Sequence, residues 1–262
     1  MTNLCLDRAV IKVTGDDRFS FLQGLLTKDV YKAQSALLYS LMLTPKGRFF
    51  TDLFLFDHEN SLYVDVAKEH IAVFLSKLKL YKLRAKVSFE LLEGLYVYAM
   101  REPVKNSLCF KDPRTQEDLE LGYRFYSYDE CFQAISQNDY HKMLLRFAIP
   151  DGPKDMEVER SIPLEWSLDK LGAIDWDKGC YMGQEFTART KYQGIVRKGV
   201  FCLKGEQLQK DLLLFKNDSE IGRVISVFED LGLALLNLEH VDPAGDTLNL
   251  ETGKKIISLP KY

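Results

Sequence analysis

Asp177-Lys178-Gly179-Cys180-Tyr181-Met182-Gly183-Gln184-Glu185 is the stretch of this chain whose residue types and spacing come nearest to chemistry. Two glycines bracket a cysteine, which predicts a tight bend ahead of a helix over 185–191. A thiol near a helix N-terminus feels the positive end of the dipole, and Lys178 adds a second positive charge two residues away. Both favour thiolate, the form that a nucleophile, a redox thiol or an iron–sulfur contact needs. The plainer reading is a small buried cysteine at a sharp turn, with Glu185 and Arg189 as an ordinary i, i+4 ion pair. No histidine lies nearby in the sequence, so a cysteine hydrolase would need a base from a distant segment.

Little else in the chain has the spacing of a site. The remaining cysteines (5, 109, 131, 202) and the four histidines (58, 70, 141, 240) form no CxxC, HxH or HxxxH pattern. That argues against a metal site and against a disulfide framework, and predicts a reduced, cytoplasmic setting. With 35 basic and 38 acidic residues in 262, net charge −3, the chain does not read as a non-specific nucleic-acid binder. No apolar run approaches the roughly 18 residues of a membrane span. Asp7 and Arg8 fall where the apolar core of a signal peptide would begin, so no leader and no membrane partner are expected. Residues 151–177 hold eight acids and three bases, a net of −5, whereas 178–200 hold five bases and one acid, a net of +4. The sign change marks either two solvated faces or a positive field for an anionic ligand.

The elements that must carry this segment follow from hydrophobic periodicity. Residues 9–13 read as a strand and 17–26 as a helix capped by Asp16. Strands over 37–43 and 49–56 form a hairpin about Pro45-Lys46-Gly47. A strand over 62–66 precedes the clearest helix, 69–82, with Ile71, Phe74, Leu75, Leu78 and Tyr81 on one face and lysines opposite. Strands over 87–92, 96–100, 108–110 and 121–126 and a helix over 138–147 complete the first part. Five short strands follow, over 194–203, 221–228, 231–238, 247–251 and 255–259, which suggests a small barrel or sandwich. Hairpins alternating with single helices favour an α+β fold with mostly antiparallel sheet.

Lys178-Gly179-Cys180-Tyr181-x-Gly183-Gln184-Glu185 followed by Arg189 resembles the signature of the YgfZ family, folate-binding proteins related to the glycine-cleavage T-protein and to mitochondrial iron–sulfur assembly factors. Phe21-Leu22-Gln23-Gly24-Leu25-Leu26-Thr27-x-Asp29-Val30, Leu43-Thr44-Pro45-Lys46-Gly47-Arg48, Ile162-Pro163-Leu164-Glu165 and Ile221-Gly222-Arg223-Val224 are similar to further family segments, in the right order. The resemblance implies two intertwined, mostly antiparallel α+β subdomains over 1–192 and a small C-terminal β-barrel over 193–262, around a central folate channel. It implies a tetrahydrofolate-binding accessory factor in iron–sulfur cluster assembly or repair, supporting iron–sulfur enzymes such as those of tRNA modification. Its partners would be assembly or client proteins. Cys180 would be the reactive thiol, with Lys178, Gln184, Glu185 and Arg189 positioning it or meeting the partner. Trp166, Glu165 and Asp52 would contact folate.

Three positions depart from the family pattern. Lys28 replaces an Asn, and Arg146 stands near the acid that T-proteins place before the turn at Pro150. The acidic pair of the hairpin strand reads Thr51-Asp52, the catalytic member being taken as the one missing at Thr51. The alternative activity, a folate-dependent aminomethyl or one-carbon transferase, is therefore set second.

Overall fold

The computed structural model describes residues 4–115, 120–242, 246–250 and 255–258. Strands β1 (Arg8–Thr14), β2 (Leu38–Leu43), β3 (Phe49–His58), β4 (Ser61–Ala67) and β5 (Ser88–Leu91) form one antiparallel sheet in the order β2-β3-β4-β1-β5. Helices α1 (Arg18–Gln23) and α2 (Ile71–Lys82) flank it. Leu22, Phe74 and Leu78 pack with Ile11, Val13, Leu53 and Leu55 into one core on that side. The opposite face of the sheet, with Val10, Tyr39, Phe54 and Phe56, belongs to a second core.

That second core joins the rest of the molecule. Strands β6 (Tyr96–Met100), β7 (Leu108–Lys111) and β8 (Tyr123–Ser127) make a three-stranded antiparallel sheet, order β6-β8-β7, followed by α3 (Gln137–Arg146) and α4 (Gln184–Tyr192). Ser136 caps α3 by accepting from the Asp139 amide, as expected for a serine at that position. The last strands are β9 (Lys198–Lys204), β10 (Leu213–Lys216), β11 (Ser219–Phe228), β12 (Leu231–Asn237), β13 (Asp246–Leu250) and β14 (Lys255–Ser258). They pair in the order β10-β11-β12-β9-β14-β13, and β13 returns to β10 through Leu214↔Leu250 and Phe215↔Asn249, so the ring closes.

Most elements fall where periodicity puts them. The first helix is shorter than expected, is preceded by Asp17 rather than Asp16, and has no side-chain cap. Strand β10 has no counterpart in the sequence reading. Expectations on 251–254 and 259 lie outside the described residues.

Candidate functional site

Lys178 does not serve the thiol beside it. Its ammonium donates to the carbonyls of Gln23, Leu26 and Lys28 at 2.8, 2.6 and 2.8 Å, which takes all three of its protons. Burial pushes this ammonium down to about 8, against the pull of Asp29 and Asp175. The expectation that Lys178 activates Cys180 is corrected accordingly: the lysine is a tie between the 178–189 segment and the loop after α1. Asp175 adds ion pairs to Lys28 and Lys32 and accepts from the Asp29 amide. The Thr27 hydroxyl donates to the Ala173 carbonyl at 2.6 Å.

The other signature residues also do structural work. Tyr181 is buried in the second core, and burial pushes its phenol up to about 12. Its amide donates to Gln184 Oε1. Gly183, at φ +83°, starts α4, and a Cβ there would stand 2.5 Å from the Thr44 carbonyl and 2.9 Å from Gly47 Cα. Gly47, at φ +70°, in turn lies under Phe186, and Arg48 stacks on the same ring at 4.8 Å. Three family-like segments, 21–30, 43–48 and 178–189, thus pack backbone against backbone around one loop.

Cys180 is what that loop presents. It is exposed, and nothing lies within 4 Å of a Cβ placed on Gly179. It stands three residues ahead of Gly183, the cap of α4, so a thiol in the first turn of a helix is not what the chain builds. Glu185 and Arg189 are exposed, and the expected ion pair between them does not form; Arg189 lies near the Phe186 ring instead. Among the described residues no group of three or more His, Cys, Asp or Glu is placed to hold a metal.

A second candidate site is a cavity on the second-core face of β3. Alternate strand residues point to opposite faces, and in β3 this puts Asp52 and Phe54 on the second-core face while Leu53 and Leu55 face α1 and α2. Asp52 and Phe54 line a cavity of about 290 Å³ together with Arg8, Arg114, Arg124 and Tyr140. Asp52 is 3% exposed, and its Oδ1 has no hydrogen-bond partner. Gly152, at φ +52°, comes so close that a Cβ would stand 2.3 Å from that oxygen. Burial pushes the Asp52 carboxyl up; Arg8, 3.9 Å away, pulls it down and Asp151 raises it again.

Behind Asp52 stands a buried network. Asp65 accepts from Arg8 Nε and Arg124 Nη2, both at 2.6 Å, and from the Tyr126 hydroxyl at 2.9 Å. Burial alone would raise the Asp65 carboxyl, but Arg124 and Arg8 outweigh it and hold it below the usual range. Arg114 is held bidentately by Asp112 and donates to the Tyr140 hydroxyl at 2.6 Å. The three guanidiniums surround the Phe54 ring, Arg124 at 3.7 Å from its centroid. Charged pairs this deep fix geometry more than they add stability.

Of the three residues expected to contact folate, Asp52 alone lines this cavity. Trp166 is packed in the second core and Glu165 is half-buried near Lys198 and Arg48; neither is among the residues lining the cavity. Arg8, Arg114, Arg124 and Tyr140 had no signal in the sequence, because only the tertiary fold brings them together. Thr51 does not bear on this cavity, contrary to expectation. Position 51 belongs to the strand parity that faces away from the cavity, so its lacking a carboxylate says nothing about the cavity's chemistry.

No family model matches the chain. The iron–sulfur cluster assembly factor IBA57 homolog of Coccidioides immitis, a mitochondrial protein, is 33% identical over 74% of this chain and 54% of its own length. The mitochondrial IBA57 proteins of mouse and human are 28% and 29% identical, each covered to 64%. The chain thus spans little more than half of the fungal relative and under two thirds of the other two. Among solved structures, the glycine cleavage system aminomethyltransferase T from Bartonella henselae superposes with a TM-score of 0.74 over 97% of this chain and 83% of that one, at 15% identity. The mitochondrial relatives overturn the expectation of a cytoplasmic setting. The chain is thus similar in sequence to iron–sulfur cluster assembly factors and shares the fold of an aminomethyltransferase.

Proposed function

We propose that this chain is a folate-binding accessory factor of iron–sulfur cluster assembly, of the YgfZ type, working in the mitochondrial setting of its relatives. The observation that carries the reading is the contrast within the signature. Lys178, Tyr181, Gly183 and Gln184 are each engaged in holding the loop, while Cys180 is exposed and is the one nucleophilic side chain of the signature. Iron–sulfur clusters are held by several thiolates, and this surface offers one, so the remaining ligands would come from an assembly or client protein.

The folate reading rests on the Asp52 cavity. An unpartnered carboxylate oxygen suits the N–H-rich edge of a pterin, and Arg8 and Lys154 suit a carboxylate tail. About 290 Å³ takes a ring system and leaves the tail at the mouth. When bound, tetrahydrofolate supplies a one-carbon carrier; Asp52 and the guanidiniums around it would orient its head. The transferase reading gains one specific support, since the hairpin-strand carboxylate that remains is the one facing the cavity. Formation of methylene-tetrahydrofolate from an aminomethyl donor would favour it.

Cys180→Ala tests the main reading. The residue is exposed, so the variant should unfold within about 1 kcal/mol of the parent, while client iron–sulfur enzyme activity in a deletion strain should stay low. Full complementation by the variant would remove the thiol from the function.

A further inference from the structure

The C-terminal end of α2 carries a feature that neither site uses. Phe74 and Leu78 bury the inner face of this helix, with Ile71, Leu75 and Tyr81 packed beside them. Val73 and Leu80, seven residues apart and so on one stripe, point the other way and are 50% and 65% exposed. Leu83 follows at φ +44° and is 87% exposed. A leucine at positive φ is strained, and among the described residues nothing covers it in return.

The surroundings are cationic. Residues 68–86 contain Lys68, Lys77, Lys79, Lys82, Arg84 and Lys86 against Glu69 alone, a net of +5 in a chain whose total is −3. Lys77 is engaged with Glu159 and the Phe50 ring. Asp17 accepts from the Lys86 backbone amide, not from its side chain. Among the described residues, Lys79, Lys82, Arg84 and Lys86 have no carboxylate partner, and all but the half-buried Lys82 are exposed.

We propose that this helix end is a docking surface for an anionic lipid bilayer, with Leu80 and Leu83 entering the headgroup boundary and the four cations meeting lipid phosphates. The composition decides between lipid and protein. Protein interfaces are depleted in lysine and anchored by aromatic residues and arginine. Exposed leucines set among lysines at one helix end offer a small apolar contact inside a basic rim, the two contributions that add up in surface binding to lipid, with each cation adding attraction to an anionic leaflet. No helix among the described residues is long and apolar enough to cross a membrane; the contact lies on the surface and is independent of the folate and thiol readings.

The test is co-sedimentation of the full chain with phosphatidylcholine vesicles, with and without roughly one third phosphatidylglycerol. Sedimentation is expected only with the anionic vesicles and should weaken with salt. Lys79→Gln should lower vesicle affinity about fivefold. Leu80→Ser with Leu83→Ser should lower it at least about tenfold at an unchanged melting midpoint, because both leucines are exposed. Absence of sedimentation with anionic vesicles would overturn the proposal. So would full retention in the double serine variant, which would mean adsorption by charge alone. Tight binding of a soluble poly-glutamate peptide in place of vesicles would assign the surface to an acidic protein.

Discussion

Lys178 and Asp65 show how single residues set this structure. Lys178 donates to three carbonyls that belong to a loop about 150 residues earlier in sequence. Lys178→Met would leave those carbonyls without a donor, and the expected cost is about 2–4 kcal/mol in urea unfolding at neutral pH. A loss no larger than that of a surface substitution would mean that water replaces the ammonium. Asp65 is held below the usual carboxylate range by Arg124 and Arg8, burial opposing them. Its stabilising contribution is therefore complete above about pH 4 and is lost as pH falls through its lower folded value. Asp65→Asn should cost about 3–5 kcal/mol at neutral pH and should flatten the fall in stability below about pH 4. Urea midpoints measured across the acid range check both, and an unchanged acid slope would show that the proton goes elsewhere. The sequence identified the loop carrying Cys180 through its glycines, but not the partner of Lys178, which lies too far along the chain for any spacing rule.

At the scale of elements, the close packing of the 43–48 turn against the start of α4 is what holds the thiol loop. Gly183→Ala would place a Cβ against the Thr44 carbonyl and Gly47 at a positive φ. The expected cost is about 1–3 kcal/mol, with faster proteolysis within 178–194, readable by mass spectrometry of limited digests. Cleavage unchanged from the parent would show that the turn gives way without loosening the loop. Helix α2 was legible because Phe74, Leu78 and their neighbours repeat at helical spacing, and the β2–β3 hairpin because Pro45-Lys46-Gly47 interrupts two apolar runs. Strand β10 was not, since Leu212–Phe215 is a four-residue apolar run with no alternation to set it apart from a loop or a buried helix turn. The parity of β3 was legible in principle: two-residue alternation already separates Thr51 from Asp52, yet which face meets the cavity depends on Arg114, Arg124 and Tyr140 arriving from the turn after β7, from β8 and from α3.

The molecule as a whole carries two candidate sites on one frame: a cavity around Asp52 and an exposed thiol at Cys180. The two are separable by substitution. Asp52 is buried with its carboxyl pushed up, so the folded state binds its proton more readily than the unfolded chain. The charged form is thus a burden on folding that grows as pH rises past the usual carboxylate value. Asp52→Asn should leave the ligand-free protein as stable as the parent or more so. The most direct measurement is the thermal shift produced by tetrahydrofolate on the parent, Asp52→Asn and Cys180→Ala proteins. A ligand that binds only the native state adds about 2.7 kcal/mol at a hundred times Kd. A clear upward shift is expected for the parent and for Cys180→Ala, and little or none for Asp52→Asn. No shift in the parent at saturating ligand, or an equal shift in Asp52→Asn, would contradict the folate reading of the cavity.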